Sequence, residues 1–140
     1  MLLYGCDKEV LEWVSWQLFK ENDAFGKEDK AIGVIIENKL IAGVVYNRFV
    51  PNVSIEMSIA SIDKRWATRH NLKAFFNYPF IQLGLERVQT LCSSSDEGVI
   101  MFNKRLGFKQ EGLHRKAWPM GGDAISWGML KSECKWINHG

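Results

Sequence analysis

Two β-branched apolar runs, Ala31 to Ile36 and Leu40 to Tyr46, stand either side of Glu37–Asn38–Lys39, and this pairing constrains the chain more than any other feature. Runs of this length around a turn predict a β-hairpin. A lone hairpin is marginal in water and needs more strands, or a helix, over one face. The chain supplies both. Upstream, Val10, Leu11, Trp13, Val14, Leu18 and Phe19 recur at helical spacing, predicting an amphipathic helix over Lys8 to Phe19. The polar stretch Glu21 to Lys30, broken by Gly26, reads as a loop. Downstream of Pro51–Asn52, Ile55, Met57 and Ile59 alternate with Glu56, Ser58 and Ala60, predicting a third strand over Val53 to Ile62.

The second half repeats the theme with helices between strands. Asp63 to Asn71 is basic. Leu72 to Leu83 is apolar on one side and closes at Gly84, a natural helix end, with a kink expected at Pro79. Leu85 to Leu91 reads as a strand and Ser93–Ser94–Ser95–Asp96 as a capping loop. Val99 to Leu106, stopped by Gly107, reads as a short helix. Phe108 to Trp118 and Ala124 to Leu130 read as two strands joined around Pro119–Met120–Gly121–Gly122. No repeat, low-complexity tract or internal boundary interrupts this order. The expectation is a single α/β (α+β) domain over 1–140.

Composition excludes several classes. With 46% apolar and 24% charged residues the 140-residue chain is neither disordered nor fibrous. A formal net charge of +2 is too small to argue for extensive phosphate contact, so nucleic acid is not the expected partner. Three scattered cysteines, Cys6, Cys92 and Cys134, form neither a CxxC pair nor a zinc set. Reduced thiols and the absence of a leader-like or spanning apolar stretch read as a cytoplasmic protein without a membrane.

The segment "LGLERVQTLCSSSDEGVIMFNKRLGFKQEGLHRKAW" resembles the second half of GNAT acetyltransferases, especially the branch that acetylates ribosomal-protein N-termini. It contains Lys104–Arg105–Leu106–Gly107–Phe108 and then Glu111–Gly112–Leu113–His114–Arg115, in the order of that branch's "K-x-G-F" and "x-E-G-x-x-R". The ending Asp123 to Glu133 is similar to its last strand, and the likeness runs from about Ala31 to Glu133. Overall, the likeness extends to phage-encoded versions. The resemblance implies a mixed, mostly antiparallel sheet flanked by helices, and acetyl-CoA as co-substrate with no metal. It implies transfer to a primary amine, such as a protein N-terminus or lysine, and leaves a homodimer open.

Residue by residue, the resemblance implies that Ile59, Ala60 and Ser61 hold the pantetheine arm on a strand splayed from its neighbour. The pyrophosphate would meet Lys64, Arg65, Trp66, Ala67, Thr68 and Arg69, where backbone N–H groups enter a helix. This segment lacks the glycines of the family motif and is about three residues short, so its three cations would take over part of the contact; a solvated basic turn is the simpler reading. Glu56 matches the position of a catalytic Glu in some members and would be the general base, or else a polar residue on a solvated strand face. Asn103 stands where many members carry an acidic Tyr; it cannot give up a proton but can hydrogen-bond the sulfur or pantetheine. Asp96 stands where the family often has Asn, with an N-cap as its simplest role. Cys92 reads as a small buried residue, and His70 and His114 as structural or exposed.

Six tryptophans, Trp13, Trp16, Trp66, Trp118, Trp127 and Trp136, are many for this length and are expected mostly in the core. Exposed ones beside Arg65, Arg69, Arg115 or Lys116 would suit a non-catalytic interaction protein on a degenerate GNAT scaffold. A nucleobase-modifying enzyme of the same fold is the third reading. Acetyl-CoA binding separates the first rival from the enzyme.

Overall fold

The computed structural model describes residues 1–139. Strand β1 (Leu2–Leu3) leads into helix α1 (Asp7–Phe19), followed by strands β2 (Lys30–Ile36), β3 (Lys39–Val50) and β4 (Ser54–Ser61). A 3₁₀ turn (Lys64–Trp66) then precedes helix α2 (Arg69–Asn77), which passes into a π-helical turn (Tyr78–Gln82). Next come strand β5 (Arg87–Ser93), helix α3 (Glu97–Leu106), and strands β6 (Lys109–His114) and β7 (Ala124–Leu130). All seven strands form one sheet in the order β1-β2-β3-β4-β5-β7-β6. Every pairing is antiparallel except β4 with β5. This is the single α+β domain that the sequence predicts, with the mostly antiparallel sheet and flanking helices that the family resemblance implies.

The two faces of the sheet carry different cores. One buries Met57, Phe75, Phe76, Phe80, Trp127 and Met129 in a continuous cluster. Removing one of its phenylalanines to Ala would cost about 3–5 kcal/mol. The other face is smaller and seats α1 through Val10, Leu11 and Val14. That helix lies close because Gly33 and Gly43, direct partners across β2 and β3, present no side chain to it. A Cβ on Gly43 would come 2.7 Å from Val14 Cγ2 and 2.9 Å from Val10 Cγ1.

Local differences from the sequence reading have physical causes. Helix α2 starts at Arg69 rather than Leu72, because Thr68 Oγ1 accepts the Asn71 N–H (3.1 Å) and caps the basic segment as a helix N-terminus. The expected kink at Pro79 takes the form of the π-helical turn, in which the Leu83 N–H reaches the Tyr78 carbonyl. Pro79 has no N–H to give the Phe75 carbonyl, and the Tyr46 hydroxyl donates to it instead (2.7 Å). Strand β6 stops at His114 instead of Trp118, since Lys116 takes a left-handed φ of 55° and its N–H donates to Asp123 (2.8 Å). Strand β1 has only two residues, too few for a periodic signal. Among the described residues no helix is long and apolar enough to cross a membrane.

Candidate functional site

The one parallel pairing decides where a ligand could enter. Strands β4 and β5 are in register only at Ser54–Arg87, Ile55–Val88 and Glu56–Gln89. Beyond Glu56, β4 stays with β3 as far as Ser61, and β5 stays with β7 as far as Ser93. The two strands therefore diverge. The Ile62 N–H donates to Ile41 of β3 (2.9 Å), so alternation along β4 turns the backbone groups of Ile59 and Ser61 the other way, into the gap.

A cleft of about 770 Å³ fills this gap. Ile59, Ala60 and Ser61 form one wall, Thr90 and Leu91 of β5 the opposite one. Helix α3 closes one side with Val99, Phe102, Asn103 and Arg105, and the end of α1 adds Gln17 and Leu18. Asp96 caps α3 by accepting the Val99 N–H (3.1 Å), and Gly107 ends the helix at a φ of 108° that disfavours other residues. Asn103 is 4% exposed, and its Nδ2 is the one buried side-chain N or O atom among the described residues without a hydrogen-bond partner. The Cys92 sulfur beside it takes its hydrogen bond from Trp127 Nε1 (3.3 Å); the Asn103 amide lies near that sulfur without hydrogen-bond geometry. A buried unsatisfied donor costs stability, so Asn103 Nδ2 is a candidate for contact with a ligand or water.

The basic segment divides. Lys64 lines the cleft and so does part of Trp66, although Trp66 is buried against Phe75 and Phe102 with ring centroids 5.7 and 5.3 Å away. Arg65 folds back on Asp63, with Nη2 2.7 Å from Oδ2, and this holds the Asp63 carboxyl down to about 2. Ala67, Thr68 and Arg69 do not line the cleft; Arg69 lies 6.0 Å over the Trp136 ring. Of the sequence candidates, Ile59, Ala60, Ser61, Lys64, Trp66, Asp96 and Asn103 thus come together around one cavity.

Glu56 faces a second, smaller cleft of about 410 Å³. Thr90 and Leu91 line both clefts, so the two meet at the point where β4 and β5 part. The Glu56 side chain is only 10% exposed, and burial pushes its carboxyl above the ordinary carboxylate range, against the pull of Arg48 and the Gln89 amide. Its Oε1 accepts from Gln89 Nε2 (3.5 Å), while the Gln89 Oε1 accepts from Arg87 Nε (3.3 Å). Arg87 in turn forks onto Glu111 through Nη1 (2.9 Å) and Nη2 (2.6 Å). Gly128 lies beneath this fork: a Cβ there would sit 2.5 Å from both Arg87 Nη1 and Glu111. His114 Nε2 and Ser126 Oγ close the far wall at 2.9 Å.

Sequence reasoning singled out none of Arg48, Arg87, Gln89, Thr90 and Arg105, although Gln89 and Thr90 lie on the strand, Val88 to Cys92, expected to face that of Glu56 across the cleft. The "EG" of Glu111–Gly112 was visible, but its partner Arg87 lies 24 residues away on a strand reached only through β7.

Comparison with solved structures places this fold. A GCN5-related N-acetyltransferase from Brucella melitensis superposes with a TM-score of 0.71 at 22% identity, covering 94% of this chain and 76% of that one. A ribosomal-protein-S5-alanine acetyltransferase from Vibrio fischeri gives 0.64 at 18% identity, covering 76% and 64%. A spermidine N-acetyltransferase variant from Vibrio cholerae gives 0.63 at 19% identity, covering 80% and 70%. The fold is that of the GNAT acetyltransferases, although the chain spans less than two thirds of the S5-alanine enzyme. No family model and no curated protein sequence matches it.

Proposed function

We propose that the protein transfers an acetyl group from acetyl-CoA to a primary amine, the two substrates entering by the two clefts that meet at Thr90 and Leu91. The observation that carries this reading is the splay of β4 from β5 with an unpartnered amide, Asn103 Nδ2, at its wall. Acetyl-CoA fits these features. The free backbone groups of Ile59 and Ser61 would hold the amide-bearing arm, and Lys64 and Arg105 would meet its phosphates at the rim. Asn103 Nδ2 would donate to the thioester end. The thioester supplies an activated acetyl group.

On the acceptor side Glu56 accepts the proton that an ammonium must lose before it becomes a nucleophile. A carboxylate with a raised pKa suits that task near neutral pH. Gln89, fixed by Arg87 and through it by Glu111, orients the Glu56 carboxylate before the amine arrives. With Arg65 held by Asp63, the phosphate contact rests on Lys64 and Arg105 rather than on the whole basic run.

The test is a thermal-shift titration with millimolar acetyl-CoA, followed by a transfer assay over a panel of amines. A ligand that binds only the folded chain must raise its melting midpoint. A stabilised protein that transfers acetyl to an amine supports the reading, and a midpoint that stays put overturns it.

A further inference from the structure

The smaller cleft holds two arginines, and they are not equivalent. Arg87 is committed: both terminal nitrogens are taken by Glu111 and its Nε by Gln89. Arg48 is not. Its side chain is 72% exposed and its one carboxylate contact is a long one, Nε to Glu56 Oε2 at 3.8 Å.

Its backbone is unusual as well. Arg48 sits at a φ of 52°, in the left-handed region that a residue with a Cβ rarely adopts. It does so inside a bulge, where the β3–β4 register shifts between Asn47–Glu56 and Val50–Ser54. Bulges beside sites re-aim a side chain, and backbone strain retained at a cleft points to use. The bulge places a cation within reach of the candidate base, where a straight strand would continue its ladder.

We infer that the acceptor is a small zwitterionic amine, whose ammonium meets Glu56 and whose nearby anionic group is taken by Arg48. This rests on the acetyl-transfer reading for its chemistry, but not for its binding. The cleft at about 410 Å³ suits a metabolite-sized ligand. Glu56 Oε2 and Arg48 Nε form a loose pair at 3.8 Å, which an amino acid or a short aminoalkyl phosphate would open by offering each partner the opposite charge. An amine with no anion would leave Arg48 competing for the Glu56 carboxylate. A zwitterion draws Arg48 away and removes a cation that holds the pKa of that carboxylate down.

Four amines test this: alanine, alaninamide, ethanolamine phosphate and ethanolamine. Alaninamide carries the amine of a peptide N-terminus without the adjacent charge. Each is assayed for binding by calorimetry without acetyl-CoA, and for acetyl transfer with it, in the wild type and in Arg48→Ala. The expected result is tighter binding of an anionic amine than of its neutral partner, by about 10-fold or more. That preference should disappear in Arg48→Ala, with binding of the neutral amine changed less than about two-fold. Whether alanine or ethanolamine phosphate binds more tightly identifies the anion as carboxylate or phosphate. Equal binding of charged and neutral amines, or a preference that survives Arg48→Ala, overturns the inference while leaving acetyl transfer intact. An Arg48-dependent preference with no transfer to any amine does the reverse: the zwitterion site stands and the acetyltransferase reading falls. An unchanged melting midpoint of Arg48→Ala shows that the variant folds.

Discussion

The two clefts differ in what their walls leave unmade. In the larger one the wall groups lack partners: the outward backbone of Ile59 and Ser61, the orphaned Asn103 amide, and Lys64 and Arg105 with no carboxylate within salt-bridge distance among the described residues. In the smaller one the polar side chains other than Arg48 are strung together, from Glu111 through Arg87 and Gln89 to Glu56, and from His114 to Ser126. A wall of free donors suits a ligand that arrives with its own acceptors. A wall of mutually bonded groups holds one carboxylate still whether or not a ligand is present.

Substituting the positioned carboxylate should have the largest effect. Glu56→Gln keeps the shape and loses the proton acceptor, so the rate of acetyl transfer should fall by about 10²–10⁴ with acetyl-CoA affinity unchanged. In the wild type the rate should rise with pH through an apparent pKa above the ordinary carboxylate range, and the variant should lack that step. A loss of only a few-fold, with both profiles following the acceptor, would mean that no protein base is used. Stability carries the same signature. A pKa raised on folding means that the native state holds the proton more tightly. Its contribution is present below the unfolded value and lost as pH rises through the folded one. Glu56→Gln should remove that slope from a plot of melting midpoint against pH.

The binding wall should respond in affinity instead. Asn103→Leu removes a donor that has no partner in the free protein, so its melting midpoint should hold or rise, while acetyl-CoA affinity drops by about 10-fold. A variant that is destabilised and binds normally would show that Asn103 serves the fold. Lys64→Ala and Arg105→Ala should each weaken acetyl-CoA by about 5- to 10-fold, less so at high salt, where Arg65→Ala changes it less than about two-fold. Calorimetry at two ionic strengths reads all three. Gly128→Ala should have a small effect on rate: its methyl displaces only the flexible ends of Arg87 and Glu111, for a rate loss of about 2- to 5-fold at little cost in stability.

The element order was legible because hydrophobic period and turn chemistry are local. The hairpin around Glu37–Asn38, the alternating strand of Glu56 and the Gly107 stop all appear where the sequence puts them. Thr68 as a cap is not legible in the sequence, because the apolar period that marks the helix begins only at Leu72. The larger cleft was partly legible through the family resemblance, which pointed to Ile59–Ser61 and Asn103. The smaller cleft was largely hidden. Its chain from Glu111 to Glu56 depends on β5 lying between β4 and β7, a non-local pairing with no spacing signature. Arg48 was hidden for a related reason: a bulge is a property of two strands in register, and nothing in the residues of either one announces it.

The paired glycines under α1 have a consequence for the width of the larger cleft. Gln17 and Leu18, at the end of that helix, form part of the larger cleft, whereas Gly33 and Gly43 line neither of the two clefts. The helix rests on the sheet as on a shim of zero thickness. A methyl group inserted at Gly43 would lift Val10 and Val14, and with them the far end of the helix that walls the gap. The width of the larger cleft can therefore change without changing any residue that faces it.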